Sequence, residues 1–145
     1  MSNIEKVGKS TFERIKQINK HGQEYWSSRE LGKILGYSDY RNFLFVTEKA
    51  KEACKNSGQK IPDHFIDTTD MVQISSGTDR GLDSIHLSRY ACYLIVQNAD
   101  PSKEIVALGQ TYFALQTRKQ EIIESKKYQE LKTEDEKRLF LRNEY

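Results

Sequence analysis

Long apolar runs are missing from this sequence. The longest, Ala91–Val96, is far below the roughly 20 residues that a membrane-spanning helix requires, so no span is expected. No signal peptide is read at the start, and a cytoplasmic chain is expected. Cysteine is scarce, and neither Cys54 nor Cys92 stands in a CxxC or Cys/His ligand spacing. Both lie in partly apolar helical stretches, which reads as buried, reduced thiols of a cytosolic protein. Net charge is small as well: 23 Lys and Arg against 21 Asp and Glu leave +2. The isoelectric point near 8.4 is mildly basic. Dedicated nucleic-acid modules often exceed pI ~9, so any phosphate-binding surface must come from local clustering of cations. Neither GxxxxGK[ST] nor GxGxxG occurs, and GxSxG is absent too. No phosphate cradle, nucleophile elbow or cofactor is therefore indicated, and no enzyme activity is expected. No internal repeat or low-complexity tract appears.

What is present suits one folded domain. The chain has 145 residues, 37% hydrophobic and 30% charged, and its eight Tyr, six Phe and one Trp are too many for a solvated coil. Apolar residues Phe12, Ile15 and Ile18 share a helical face, so Thr11–Lys20 reads as a first helix closed by His21-Gly22. Residues 23–26 read as an edge strand or an extended entry. Ser27 and Glu30 then have capping-box spacing ahead of a short helix with Leu31, Ile34 and Leu35 inward, stopped by Gly36. With Ser38 or Asp39 as cap, a helix is expected from Tyr40 to Asn56, closed by Ser57-Gly58. Two helices joined by a tight glycine turn match a helix-turn-helix unit.

Lys60–Asp67 reads as a loop. Thr69–Ile74 and Leu82–Leu87 read as a β-hairpin around a Ser75–Gly81 turn. Ser88 caps an apolar helix, Arg89–Asn98. Asp100-Pro101 has the signature of a helix start and opens a long helix to about Lys127. The expectation is an α+β, mainly helical single domain with one small β-hairpin, a helix-turn-helix-like pair and a long C-terminal helix. A second capping box at Thr133–Glu136, with the chain stopping at Tyr145 inside a helical pattern, suggests a fragment of a longer protein. The division expected is a domain over 1–128 and the start of a helical extension over 129–145.

Candidate site residues concentrate between Arg29 and Lys60, where seven basic residues face four acids and interleave with Tyr37, Tyr40 and Phe43. Arg29, Lys33 and Arg41 are placed to hold phosphates. Tyr37, Ser38, Tyr40 and Asn42 lie at or near the second helix's start, where a recognition helix meets bases. Two readings stand for this segment: a DNA-binding face, or core tyrosines beside a solvated face of Lys49, Lys51 and Lys55. A second basic cluster, 116–120 with Lys126 and Lys127, reads as a solvated helix face. Ile105, Leu108, Tyr112 and Leu115 form a stripe that either packs on the core or pairs two chains as a homodimer. Asp63, His64, Asp67, Asp70, Asp83 and His86 could bind a divalent ion or hold an acid and a base, but their spacing fits no ligand pattern, and no metal is expected.

Longer strings carry a family resemblance. Tyr25-Trp26-Ser27-Ser28-Arg29-Glu30-Leu31 with Leu35-Gly36-Tyr37 resembles the opening of the BRO-type N-terminal domain of phage antirepressors. Leu87-Ser88-Arg89-Tyr90-Ala91-Cys92-Tyr93-Leu94-Ile95, Gln97-Asn98, Asp100-Pro101, Lys103-Glu104 and the run from Gln110 to Glu121 resemble the DNA damage-inducible protein D family. The resemblance implies a bacterial or phage-derived protein of the DNA damage (SOS) response, without catalysis or cofactor. It implies a partner that is DNA, single-stranded ahead of duplex, or a recombinase filament on single-stranded DNA. The alternative is an antirepressor-like protein-interaction module without nucleic-acid contact. Gly109 departs from the family pattern inside the long helix, where glycine costs about 0.5–1 kcal/mol of helix propensity and permits a close helix contact.

Overall fold

The computed structural model describes residues 11–73 and 77–142. A helical turn, α1, covers residues 11–15 and is followed by strand β1, Gln17–Ile18. Next come β2 (Glu24–Ser27), α2 (Ser28–Ile34), α3 (Tyr40–Asn56), α4 (Ile61–His64), β3 (Phe65–Gln73), β4 (Asp79–Leu87), α5 (Arg89–Asn98) and α6 (Glu104–Arg142). The α+β class, the hairpin, the α2–α3 pair and the long last helix are as expected.

The strands form one antiparallel sheet in the order β1-β2-β4-β3. β3 and β4 pair over their whole length, from Phe65↔Leu87 to Gln73↔Asp79. β2 reaches only the base of this hairpin, at Trp26↔Leu87 and Ser27↔His86. Phe65, Ile85 and Leu87 turn inward there, while Met71 further out is 66% exposed. Helices α2, α3, α5 and the first part of α6 pack around that base.

The centre is aromatic. Phe12, Trp26 and Phe113 are fully buried, with Phe12 and Trp26 each about 5 Å from the Phe113 ring centroid, at 5.2 Å and 5.3 Å. Trp26 Nε1 donates to the Phe12 carbonyl at 3.0 Å, so its one polar atom is satisfied on burial. Cys54 and Cys92 are buried free thiols, and burial pushes both pKa values up. Among the described residues no helix is long and apolar enough to cross a membrane.

Several local expectations are corrected. The first helix ends at residue 15, and Ile18 lies on β1, 59% exposed. Gly22, at φ +77°, turns β1 into β2 rather than closing a helix. The segment from Lys60 contains α4 and the start of β3, because Pro62 is tolerated in a first helical turn. Asp100 makes a local turn instead of capping the long helix: its Oδ1 accepts from Ser102 N at 3.0 Å and Ser102 Oγ at 2.8 Å, and α6 begins at Glu104. The backbone of α6 runs through Thr133, so no new helix starts at the second capping box. Ile74, Ser75 and the end at Tyr145 lie outside the described residues.

The stripe on α6 serves its own chain first. Leu108 and Tyr112 are buried, Ile105 packs against the core, and Leu115 alone of the four is 44% exposed. Gly109 faces Phe12 and Val96 so closely that a Cβ would stand 3.0 Å and 3.2 Å from them. The glycine is therefore a helix-contact position.

Candidate nucleic-acid interface

Glycine sets the geometry of the α2–α3 turn twice. Gly36 takes φ +88°, and Tyr37 N–H donates to the Gly32 carbonyl (2.9 Å) while Gly36 N–H donates to that of Lys33 (3.0 Å). These two hydrogen bonds end α2 and turn the chain towards α3. Gly32 lets the helices approach: a Cβ there would lie 3.0 Å from the Phe43 ring. Asp39 then caps α3 by accepting from Arg41 N at 2.9 Å.

Between these elements lies a pocket of about 150 Å³, lined by Arg29, Gly32, Lys33, Tyr37, Ser38, Tyr40 and Phe43. Gly32 and Phe43 are buried and form its base. Tyr37 and Tyr40 lean on Phe43, with centroids 5.4 Å and 6.3 Å away. Each tyrosine also carries a cation. The Arg29 guanidinium carbon stands 3.8 Å from the Tyr40 centroid, and Lys103 Nζ stands 4.3 Å from that of Tyr37. Arg29 is further fixed by donating from Nε to the Asp83 carbonyl at 2.7 Å. Burial, then the charge of Asp100, raises the Tyr37 phenol pKa above its ordinary value.

Tyr40 is held from behind by a buried hydroxyl cluster. Its hydroxyl bonds Ser28 Oγ at 2.6 Å; Ser28 Oγ accepts from Ile85 N–H at 2.9 Å and meets Ser84 Oγ at 3.2 Å. Ser27 Oγ joins through Ser84 at 3.4 Å and donates to Asp70 Oδ2 at 2.6 Å. The expected capping box is therefore not formed: Ser27 stands at the N-cap of α2 but turns its hydroxyl to the hairpin. Burial alone would raise the Asp70 pKa, but hydrogen bonds from Ser27, Ser84 and His86 hold it below the usual carboxylate range. His86 lies 3.5 Å from Asp70 Oδ1 and stacks on Tyr25 at 4.1 Å.

The seven candidate residues thus divide. Arg29, Lys33, Tyr37, Ser38 and Tyr40 converge on one pocket. Arg41 and Asn42 are exposed at the start of α3 but do not line it. Arg41 folds back on Asp39, Nη2 to Oδ2 at 3.1 Å, and this pair lowers the Asp39 pKa. Lys51 pairs with Glu48 at 3.3 Å while Lys49 and Lys55 are exposed, as a solvated helix face requires. In the later cluster Arg118 pairs with Glu121 at 3.4 Å, and Lys119, Lys126 and Lys127 are exposed.

The acid and histidine candidates gather only in part: Asp63, His64 and His86 line one pocket beside β2, and His86 reaches Asp70. His64 Nδ1 bonds Ser88 Oγ at 2.7 Å, behind the α5 cap, and burial lowers its pKa. Asp70 and His86 belong to the hydroxyl cluster, and Asp67 is exposed. Among the described residues no three His, Cys, Asp or Glu form a metal-binding group.

Sequence reasoning missed Lys103 and the serines. Lys103 is remote in sequence from α2 and reaches Tyr37 only because the α5–α6 connection folds across Gly36, with Nζ 3.8 Å from where a Gly36 Cβ would be. The repeated serines at 27 and 28 were the available signal for the buried cluster, and capping statistics hid it.

Comparisons with known proteins cover this region. Residues 14–114, which contain all seven candidates, match the family described as BRO family, N-terminal domain. The chain is 60% identical over 133 residues to "DNA damage-inducible protein D" of Escherichia coli (strain K12), a match covering 92% of this chain and 48% of that protein. The chain therefore spans about half the length of that relative. No solved structure matches it.

Proposed function

This chain belongs to the BRO family, N-terminal domain, and from that premise we propose that it serves the DNA damage response as a non-catalytic module binding DNA, or a recombinase filament on single-stranded DNA. The damage-response part of this reading comes from the relative's name. The binding part rests on one observation: the α2–α3 pocket sets Arg29 and Lys33 beside two tyrosines, and no carboxylate lines it. Cations favour phosphate and tyrosine faces favour bases, and the nearby carboxylate, Asp100, acts on Tyr37 and Lys103 from outside the lining.

Fluorescence anisotropy with labelled single- and double-stranded DNA over a salt series tests this. Binding that weakens steeply with salt is expected. Absence of binding at low salt refutes direct contact and moves the role to a protein partner.

A second reading has its own support. Phe45, on the outward side of α3, is 69% exposed beside exposed Arg41 and Asn42. An apolar ring in that position suits an antirepressor-like protein contact. Phe45→Ser should then abolish capture of a protein partner, and neither the variant nor the unmodified chain should bind DNA.

A further inference from the structure

The pocket's size and chemistry narrow the form of nucleic acid it suits, and the inference below rests on the DNA-binding reading just given. Its volume is about 150 Å³. That space suits one ring system and is too small for a base pair. Its base is apolar, formed by buried Gly32 and Phe43, and its sides are the rings of Tyr37 and Tyr40. Three cations come from two separate elements: Arg29 and Lys33 on α2 line it, and Lys103, from the α5–α6 connection, stands over the Tyr37 ring. A flat aromatic group with a negative charge attached is the complement of that arrangement. Each nucleotide of a single strand has this form, whereas paired bases in a duplex present only edges.

The walls are built in advance. Tyr40 is fixed by Ser28 at 2.6 Å, and Arg29 by the Asp83 carbonyl at 2.7 Å, so β4 supports both groups. Another pocket, about 180 Å³ beside β2, is lined by residues that include Glu24, Asp63, His64 and His86. Its carboxylates disfavour phosphate, so the α2–α3 pocket is the better match to a nucleotide of these two.

We infer that the α2–α3 pocket takes one unpaired nucleobase, with the adjoining phosphate held by Arg29, Lys33 and Lys103. Lys103 is thereby assigned as a binding residue.

The test compares three probes of equal length with the unmodified chain: an oligothymidylate strand containing 2-aminopurine, the same sugar-phosphate chain without bases, and a blunt duplex. The base-bearing strand should bind roughly tenfold more tightly than the abasic one, the loss expected for one aromatic stack. The 2-aminopurine should be quenched on binding, and the duplex should bind more weakly. Lys103→Ala, whose melting is checked first, should weaken the strand and lessen the quench. Tyr37→Ala should do the same if it stays folded. Equal affinity for base-bearing and abasic strands overturns the base pocket but leaves DNA binding standing. So does a duplex bound as tightly as the single strand. A folded Lys103→Ala that binds and quenches normally overturns the assignment of Lys103. No binding to any probe overturns both this inference and the function it rests on.

Discussion

Gly109→Ala sets two effects of known size against each other. Helix propensity favours alanine by about 1 kcal/mol at an interior position. Packing opposes it, because the new Cβ would lie 3.0 Å from Phe12 Cζ and 3.2 Å from Val96 Cγ1. Both neighbours are fully buried. Phe12 cannot easily retreat: it stacks on Tyr112 at 5.4 Å, meets Phe113 edge-on at 5.2 Å, and its carbonyl is held by Trp26. Overpacking a tight core costs about 1–3 kcal/mol. The middle of that range exceeds the propensity gain, so a net loss of about 1 kcal/mol is expected. For a domain of this size that lowers Tm by about 3 °C. Urea unfolding monitored by Trp26 fluorescence should show a lower midpoint with an unchanged slope. A gain in stability approaching the full propensity benefit would refute the reasoning. It would mean that α1 yields at little cost and that Gly109 is not a contact position.

Other perturbations separate the site from its support. Lys33→Ala, on an exposed side chain, should leave Tm unchanged and reduce the salt slope of single-strand binding by about 0.7, the share of one phosphate contact; an unchanged slope removes Lys33 from the interface. Ser28→Ala leaves the buried Ile85 N–H without its acceptor and should cost about 1–3 kcal/mol of stability in urea. If Ser28 positions Tyr40, the effects of Ser28→Ala and Tyr40→Phe on DNA affinity should be markedly non-additive, whereas strict additivity would separate them. Asp70 has a folded pKa below its unfolded value, so its contribution is present above pH ~4 and is lost as pH falls through the folded pKa. Asp70→Asn should therefore flatten the acid limb of a stability-versus-pH curve; an identical acid limb would show that the Ser27, Ser84 and His86 contacts do not act on this carboxyl.

Local features of the fold were legible where one element supplies its own signal. The α3 boundaries, the Asp39 and Ser88 caps and the Gly36 and Gly58 stops all follow from short-range rules, and the structure has each of them. The errors fall where a distant group offered a better partner. Ser27 has capping-box spacing, yet Asp70 lies 2.6 Å from its hydroxyl and takes the bond. For Tyr112 and Leu108, whose spacing left core packing and chain pairing both open, the chain's own core covers the side chains. At Asp100 the local rule held in form, but Ser102 converts the expected cap into a turn.

By itself the sequence determined the fold class, the helix pair, the family resemblance and the segment carrying the candidate residues. It could do so because hydrophobic period, capping and glycine conformation act within a few residues. Only the tertiary structure decided which candidates face one another. Arg29 and Lys33 meet Tyr37 and Tyr40 around Phe43, Arg41 closes on Asp39, and Lys103 joins from a connection far along the chain. Those relations depend on how α2, α3, β4 and the α5–α6 connection pack, and packing brings together residues whose separation along the sequence carries no signal of their contact.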